Sequence, residues 1–298
     1  MTAQNEISSV NDFTRESTRG PNFATARYID ASSAGLVGDG RTNNTAVLQS
    51  LLGSGDRTIH IPAGDYVTDA FEIPPNTALL LDSGVILRDS GHLGPEQRLV
   101  NIETANVYIS GYGAKVLGDR DAYPPGEQRH GVLIWGAKNV VIQGLESSEN
   151  AGDGFYIGGP TGQPADNILL DGCLASENRR QGLSITSARN VDVVDSQFQS
   201  THGTAPQFGI DLEPNTPDDF LDHILILRPS TLENVGGGIA IYLENLTANS
   251  YPIDIEILEH LSQSESPPLA TLGSPYVPGT IQYTKASTVP PPQSSAQP

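Results

Sequence analysis

At 298 residues, 37% of them hydrophobic and 17% charged, the chain is long enough for one large domain or two small ones around a sizeable core, and too apolar for a charge-rich disordered chain. Sixteen Lys and Arg face 35 Asp and Glu; the net charge of −19 argues against nucleic-acid binding and against an extended face for polyanions. The single Cys173 excludes an intramolecular disulfide framework, and no apolar run approaches the roughly 18 residues of a membrane span.

Residues 1–25 are polar, rich in Ser, Thr and Asn, and are expected to form a loose N-terminal arm. They contain no basic segment followed by an apolar one, so no leader is visible and the compartment stays open. The one helix signal follows over Thr42–Leu52. Asn43 or Asn44 can cap it, and Ala46, Val47, Leu48, Leu51 and Leu52 recur at helical spacing.

From there to about residue 262 short β segments repeat. One series begins with Asn at Asn106, Asn139, Asn167 and Asn190, spaced 33, 28 and 23 residues apart. Another begins with Gly at Gly131, Gly154, Gly182, Gly209 and Gly238, spaced 23, 28, 27 and 29 apart. Two interleaved series sharing one irregular period predict a β-solenoid over residues 26–262, with coils stacked about 4.8 Å apart. In the Gly-led strands Val132, Phe155, Leu183, Ile210 and Ile239 form one inward column, and Ile134, Ile157, Ile185, Leu212 and Ile241 the next. The residues between them, Leu133, Tyr156, Ser184, Asp211 and Ala240, then Trp135, Gly158, Thr186, Glu213 and Tyr242, are expected to face solvent. The leading Asn residues read as turn residues whose amides bond their own backbone or the next coil. Cys173, after a turn Gly, reads as buried filler. Residues 263–298 form a Pro/Ser-rich tail; its last dozen residues are expected to lack structure, while Thr280–Thr284 can add a strand.

The motifs Gly38-Asp39-Gly40 with Thr42 to Ala46, and Ile61-Pro62-Ala63-Gly64 with Tyr66, resemble the opening of the pectate-lyase-like superfamily. The likeness extends over roughly residues 27–260. It implies an all-β fold, a single-stranded right-handed parallel β-helix closed at its N-terminal end by a short helix, and a broad range of chemistries. Phe208-Gly209-Ile210-Asp211-Leu212-Glu213 is similar to the aromatic-Gly-apolar-Asp-Pro-His signature of the mannuronan C5-epimerases. Asp211 matches, but Leu212 and Glu213 stand where that family has Pro and His, so its histidine does not carry over. The polygalacturonase residues are not found in order; Asp218-Asp219 and His202-Gly203 match only fragments of that set.

The column two residues before each Gly reads Arg129, Gly152, Arg180, Gln207 and Gly236. Together with the outward columns it gathers Asp211, Glu213, Arg129, Arg180, Gln207, Trp135, Tyr156 and Tyr242, with Asp153 and His130 at the edge. Aromatic faces pack on sugar rings, and carboxylates and guanidinium groups grip hydroxyls. Asp211 and Glu213, two apart on a strand, are the expected acid/base or nucleophile pair, with Asp153 and His130 as further catalytic candidates. Arg180, Arg129 and Gln207 would orient substrate, and Tyr156, Trp135 and Tyr242 would form sugar subsites. No metal motif is present, so no cofactor is expected, although Asp153, Asp211 and Glu213 offer hard oxygens that suit Ca²⁺. The expectation is a carbohydrate-active enzyme that cleaves glycosidic bonds, by hydrolysis. The alternatives are a uronate lyase or C5-epimerase, a non-catalytic sugar-binding or tailspike-like solenoid that could trimerise, and an enzyme for a small molecule.

Overall fold

The computed structural model describes residues 23, 26–263, 267–273 and 276–286. Its strands pair in parallel and wind into a right-handed β-solenoid of about 9 turns. One turn shows the plan: Lys138–Gln143 lies on the first face, Glu146–Ser148 on the second and Phe155–Gly158 on the third, before Ala165–Asp171 returns to the first. Each strand hydrogen-bonds its counterpart one coil away, as Val140 pairs with Ile168, Ser147 with Ala175 and Ile157 with Ile185. The third face stacks eight such strands, from Phe71–Glu72 to Leu269–Gly273.

The inward columns stand in the expected register. Val132, Phe155, Leu183, Ile210 and Ile239 align across neighbouring coils, as do Ile134, Ile157, Ile185, Leu212 and Ile241, and all ten are fully buried. Cys173 is buried as filler. The glycine at the start of five third-face strands, from Gly131 to Gly238, follows from coil spacing. A Cβ on Gly154 would come within 2.7 Å of the Gly182 carbonyl oxygen, and one on Gly209 within 2.9 Å of that of Gly238.

The leading asparagines turn the chain onto the first face in left-handed backbone, with φ of 62° at Asn106, 56° at Asn139 and 58° at Asn167. Their side chains form a ladder along the solenoid. Asn106 donates to Asn76 (2.8 Å), Asn139 to Asn106 (2.9 Å) and Asn167 to Asn139 (2.8 Å).

The helix spans Thr45–Leu52 and packs near Arg57–Ile61 and Phe71–Glu72 at the N-terminal end. Asn44 stands at its N-cap without a side-chain cap bond, its buried amide tying together Val37 and Thr42, while the Asn43 side-chain oxygen accepts from the Thr45 amide and hydroxyl. Leu48 and Leu52 are buried but Ala46 is exposed, because two residues at 100° each place it across the helix from Leu48.

At the other end Leu269–Gly273 pairs with Gly237–Leu243, and Gly279–Lys285, which contains the strand expected at Thr280–Thr284, pairs with Ile253–Gln263. The stack therefore continues past residue 262. The expected arm, but for Phe23 in its span, and the last dozen residues lie outside the described residues. Among the described residues no helix is long and apolar enough to cross a membrane.

One expectation is corrected. The outward column of the third face does not face water: Leu133, Ser184, Asp211 and Ala240 are all buried. They point away from the core, and at Ser184 and Asp211 corner side chains close over them, Arg180 and Asp153 on Ser184 and Gln181 on Asp211.

Candidate active site

Three successive corners between the second and third faces build the cluster: residues 118–131, 149–154 and 177–182. Stacked backbone bonds fix their register, with Gly131 donating to the Asp153 carbonyl (2.9 Å), Gly154 to that of Gln181 (3.0 Å) and Gly182 to that of Phe208 (3.3 Å). The residues just before these glycines, His130, Asp153 and Gln181, are thus brought one above the other, and all three are buried.

Arg180 stands at the centre, its side chain 12% exposed. Its Nη1 meets Asp153 Oδ2 at 3.3 Å, its Nη2 meets Glu213 Oε2 at 3.1 Å, and its Nε lies 3.8 Å from Glu127 Oε2. Burial works against the guanidinium charge, but Asp153, Asp211, Glu213 and Glu127 outweigh it and raise the arginine further. The Ser184 hydroxyl donates to Asp153 Oδ2 at 2.9 Å.

Asp153 is wholly buried, and burial raises its carboxyl to about 6 against the pull of Arg180 and Ser184. His130 accepts the Asp153 backbone N–H at Nδ1 (2.9 Å), which places the imidazole proton on Nε2. Burial, then the charges of Arg98 and Arg180, hold this histidine well below its usual range, so it is neutral. Asp211 is raised well above the ordinary carboxylate range, first by burial and next by the neighbouring charge of Glu213, with which its carboxyl interacts directly. Gln181 Nε2 donates to Asp211 Oδ2 (2.7 Å), while its Oε1 accepts the Phe208 N–H (2.6 Å). The amide therefore fixes Oδ2 as an acceptor and leaves Oδ1 to carry the proton. His130 Nε2, Asp153 Oδ1 and Asp211 Oδ1 have no hydrogen-bond partner within the protein.

Aromatic rings flank this cluster. Tyr156 stacks on His130 with centroids 4.6 Å apart and lies 6.2 Å from Trp135. A Cβ on Gly158 would come within 2.8 Å of the Trp135 ring and 3.1 Å of Tyr156, so the glycine leaves room for both. Tyr242 meets Phe208 edge to face at 6.2 Å and feels the charges of Asp211 and Glu213. Trp135, Tyr156 and Tyr242 are each only partly covered.

The structure thus assembles Asp153, Asp211, Glu213, His130, Arg180 and Tyr156, with Trp135 and Tyr242 beside them. Two expected site residues are turned elsewhere. Arg129 donates to the Leu93 carbonyl (3.0 Å) and lies 4.4 Å over the Tyr123 ring. Gln207, at φ 66°, accepts the Gly203 N–H at 2.7 Å and braces its own loop. His202 bonds the Ser200 carbonyl, and Asp219 caps the turn at Asn215 and Thr216. The three acids suggested for Ca²⁺ surround Arg180, whose guanidinium supplies the positive charge there. Among the described residues the acid and histidine group with donor atoms within 4.8 Å of one another is Asp222, His223 and Asp254, on the first face. Sequence reading missed Gln181, Ser184 as a ligand of Asp153, and Glu127. The column one residue before each Gly, rather than two, carried the signal for Gln181.

Residues 82–250 match the family described as the right-handed β-helix region, and the chain belongs to that family. It is 27% identical over 223 residues to the uncharacterized protein YclG of Bacillus subtilis, a match covering 62% of this chain and 38% of YclG. The chain spans about two fifths of the length of the curated relatives it matches. Among solved structures it is similar to a family 28 exopolygalacturonase of Yersinia enterocolitica, with 15% identity, coverage of 86% of this chain and 57% of that one, and a TM-score of 0.63. It is also similar to the pre-mature gene product 12 of bacteriophage phi29, with 17% identity, coverage of 78% and 32%, and a TM-score of 0.67. At these identities the likeness is one of fold.

Proposed function

We propose that the chain hydrolyses glycosidic bonds of a poly- or oligosaccharide on the outer side of the third face, by acid/base chemistry around Arg180. One observation carries this reading: buried Asp211, raised well above the ordinary carboxylate range, interacts with the partly exposed carboxyl of Glu213, which itself meets Arg180 at 3.1 Å, beside aromatic rings. Asp211 lies too deep to touch a sugar. Glu213 is the member of the pair that meets substrate; it takes a proton from Asp211 and passes it to the departing glycosidic oxygen as that oxygen's bond to the anomeric carbon breaks. A water then adds to that carbon and gives its proton to a second carboxylate. Glu127, exposed beside Nε of the same guanidinium, is the candidate for that role. Contacts of 3.1 and 3.8 Å to one guanidinium hold these two carboxyl oxygens of Glu213 and Glu127 within about 9.5 Å of each other, the upper limit for glycosidase pairs. Trp135, Tyr156 and Tyr242 offer apolar surface for sugar rings.

The test is turnover of a panel of neutral and uronic polysaccharides, with products weighed by mass spectrometry. Hydrolysis adds one water per cleavage. Glu213→Gln should lower turnover at least about a hundredfold and Asp211→Asn at least about tenfold, each with the fold retained. Two fully active variants would overturn the assignment. Cleavage without added water would make the chain a lyase, and binding with no product from any polymer would make it a sugar-binding solenoid.

A further inference from the structure

The charge inventory around Arg180 bears on which sugar the site accepts. Four carboxyl groups, Asp153, Asp211, Glu213 and Glu127, act on this single guanidinium. Two of its nitrogens are engaged by Asp153 and Glu213. The other arginines of the same corners are turned to the protein itself. Arg120 donates to the Glu177 carbonyl (2.7 Å) and pairs with Asp121 and Glu177, Arg129 donates to the Leu93 carbonyl, and Arg179 to the carbonyls of Pro124, Tyr123 and Arg120; nearby, Arg98 donates to Gln128 (2.5 Å) and to the Glu96 carbonyl. No guanidinium there is left facing the acids from the solvent side, and the aromatic rings beside them favour an uncharged face.

We infer that the subsite over Arg180 takes a sugar unit without charge, such as a neutral hexose or an N-acetylhexosamine, and rejects units bearing carboxylate or sulfate. This rests on the proposed hydrolytic reading only for the cleavage, since the recognition is a statement about binding. A uronate placed there would set its anion against several carboxyls while finding no free cation to neutralise it.

The experiment uses matched pairs in which one member is acidic, polygalacturonate with its carboxyl-reduced form and alginate with its carboxyl-reduced form, and adds cationic chitosan against neutral chitin oligosaccharides for the opposite sign. Affinity is measured by calorimetry and products by mass spectrometry. A neutral member should bind at least about tenfold more tightly than its acidic partner. That gap should persist from about 0.05 to 0.5 M salt, because contact repulsion in a covered site is screened less than the field of the whole chain. Preferential binding of a neutral glycan without cleavage would keep this inference and remove the hydrolytic reading. Cleavage of a uronate polymer, or of chitosan in preference to chitin, would overturn the inference and leave hydrolysis standing. A gap that vanishes with salt would assign the discrimination to net charge alone and overturn it, and failure to bind any member would overturn both.

Discussion

Two columns of polar side chains run along this solenoid, and they are satisfied in opposite ways. At the turn into the first face, identical asparagines bond each to the next, so every coil repeats the last and the column is neutral. It ends at Asn167, whose Oδ1 has no hydrogen-bond partner because Asn190 donates to Asp166 instead. On the third face the column passes from His130 to Asp153 and Gln181, with Ser184, Asp211 and Arg180 packed around it. Each position differs, the charges do not balance, and four buried polar atoms, the Arg180 Nε among them, lack hydrogen-bond partners in the protein. Uniform satisfied ladders hold coils together, whereas a mixed, incompletely satisfied column keeps donors and acceptors available for something else. Folding alone gives no reason to bury this second arrangement.

The sharpest way to break the contrast is to remove Arg180. Arg180→Met leaves Asp153 and Asp211 buried with their cation gone, and unfolding free energy should fall by about 3–5 kcal/mol in a denaturant titration. Adding Asp153→Asn should recover a large part of that loss, since it removes the charge left stranded. If the single variant were as stable as the parent, the cluster would be a solvated surface patch.

The pH dependence separates the columns next, since only one of them titrates. Asp153 sits near 6 in the fold against about 3.8 when unfolded, so the folded chain holds an extra proton between those values. The stability this proton confers is complete below about 3.8 and lost as pH rises through 6. Asp211, raised well above the ordinary carboxylate range, carries the same loss to higher pH. Between pH 4 and 7 the wild-type advantage over Asp153→Asn should therefore shrink by up to about 3 kcal/mol, in urea titrations at each pH. A constant difference would mean that Asp153 titrates normally.

The contrast also explains which parts of the molecule were legible in the sequence. Repetition is what a single sequence displays, so the inward columns, the Asn turns and the Gly starts could be read by counting. Asp211, Glu213 and Arg180 emerged because they lie in register with those repeats. Burial of the outward column could not be read that way, because it depends on where the corners fold back. Arg129 and Gln207 share Arg180's place in the repeat yet point elsewhere, one drawn to Leu93 and Tyr123, the other turned by its left-handed backbone. Glu127 lies in the long corner 118–131, outside any repeat, and only its contact with Arg180 brings it to notice.

Gln181 tests whether the second column is tuned. Gln181→Ala deletes the bonds to Asp211 and to the Phe208 amide and should cost about 1–3 kcal/mol in thermal unfolding. A merely structural role would stop there. Because Gln181 fixes which Asp211 oxygen carries the proton, its loss should also shift the pH profile of turnover, while Gln207→Ala should leave that profile unchanged.

The smallest effects belong to the asparagine ladder, and they can be divided. Asn139→Gly keeps the φ of 56° free of strain and removes only the two amide bonds, to Asn106 and from Asn167. These bonds lie at an exposed turn, so the loss should be about 0.5–1 kcal/mol. Asn139→Ala removes the same bonds and also forces a Cβ into left-handed backbone, adding about 1 kcal/mol. The difference between the two variants thus measures the backbone and the glycine variant measures the ladder. Turnover should be unchanged in both, because position 139 stacks coils and stands clear of the carboxyl groups. An effect of Asn139→Gly on activity would show that the ladder sets the spacing of the coils beneath Arg180, and the two columns would then be one device.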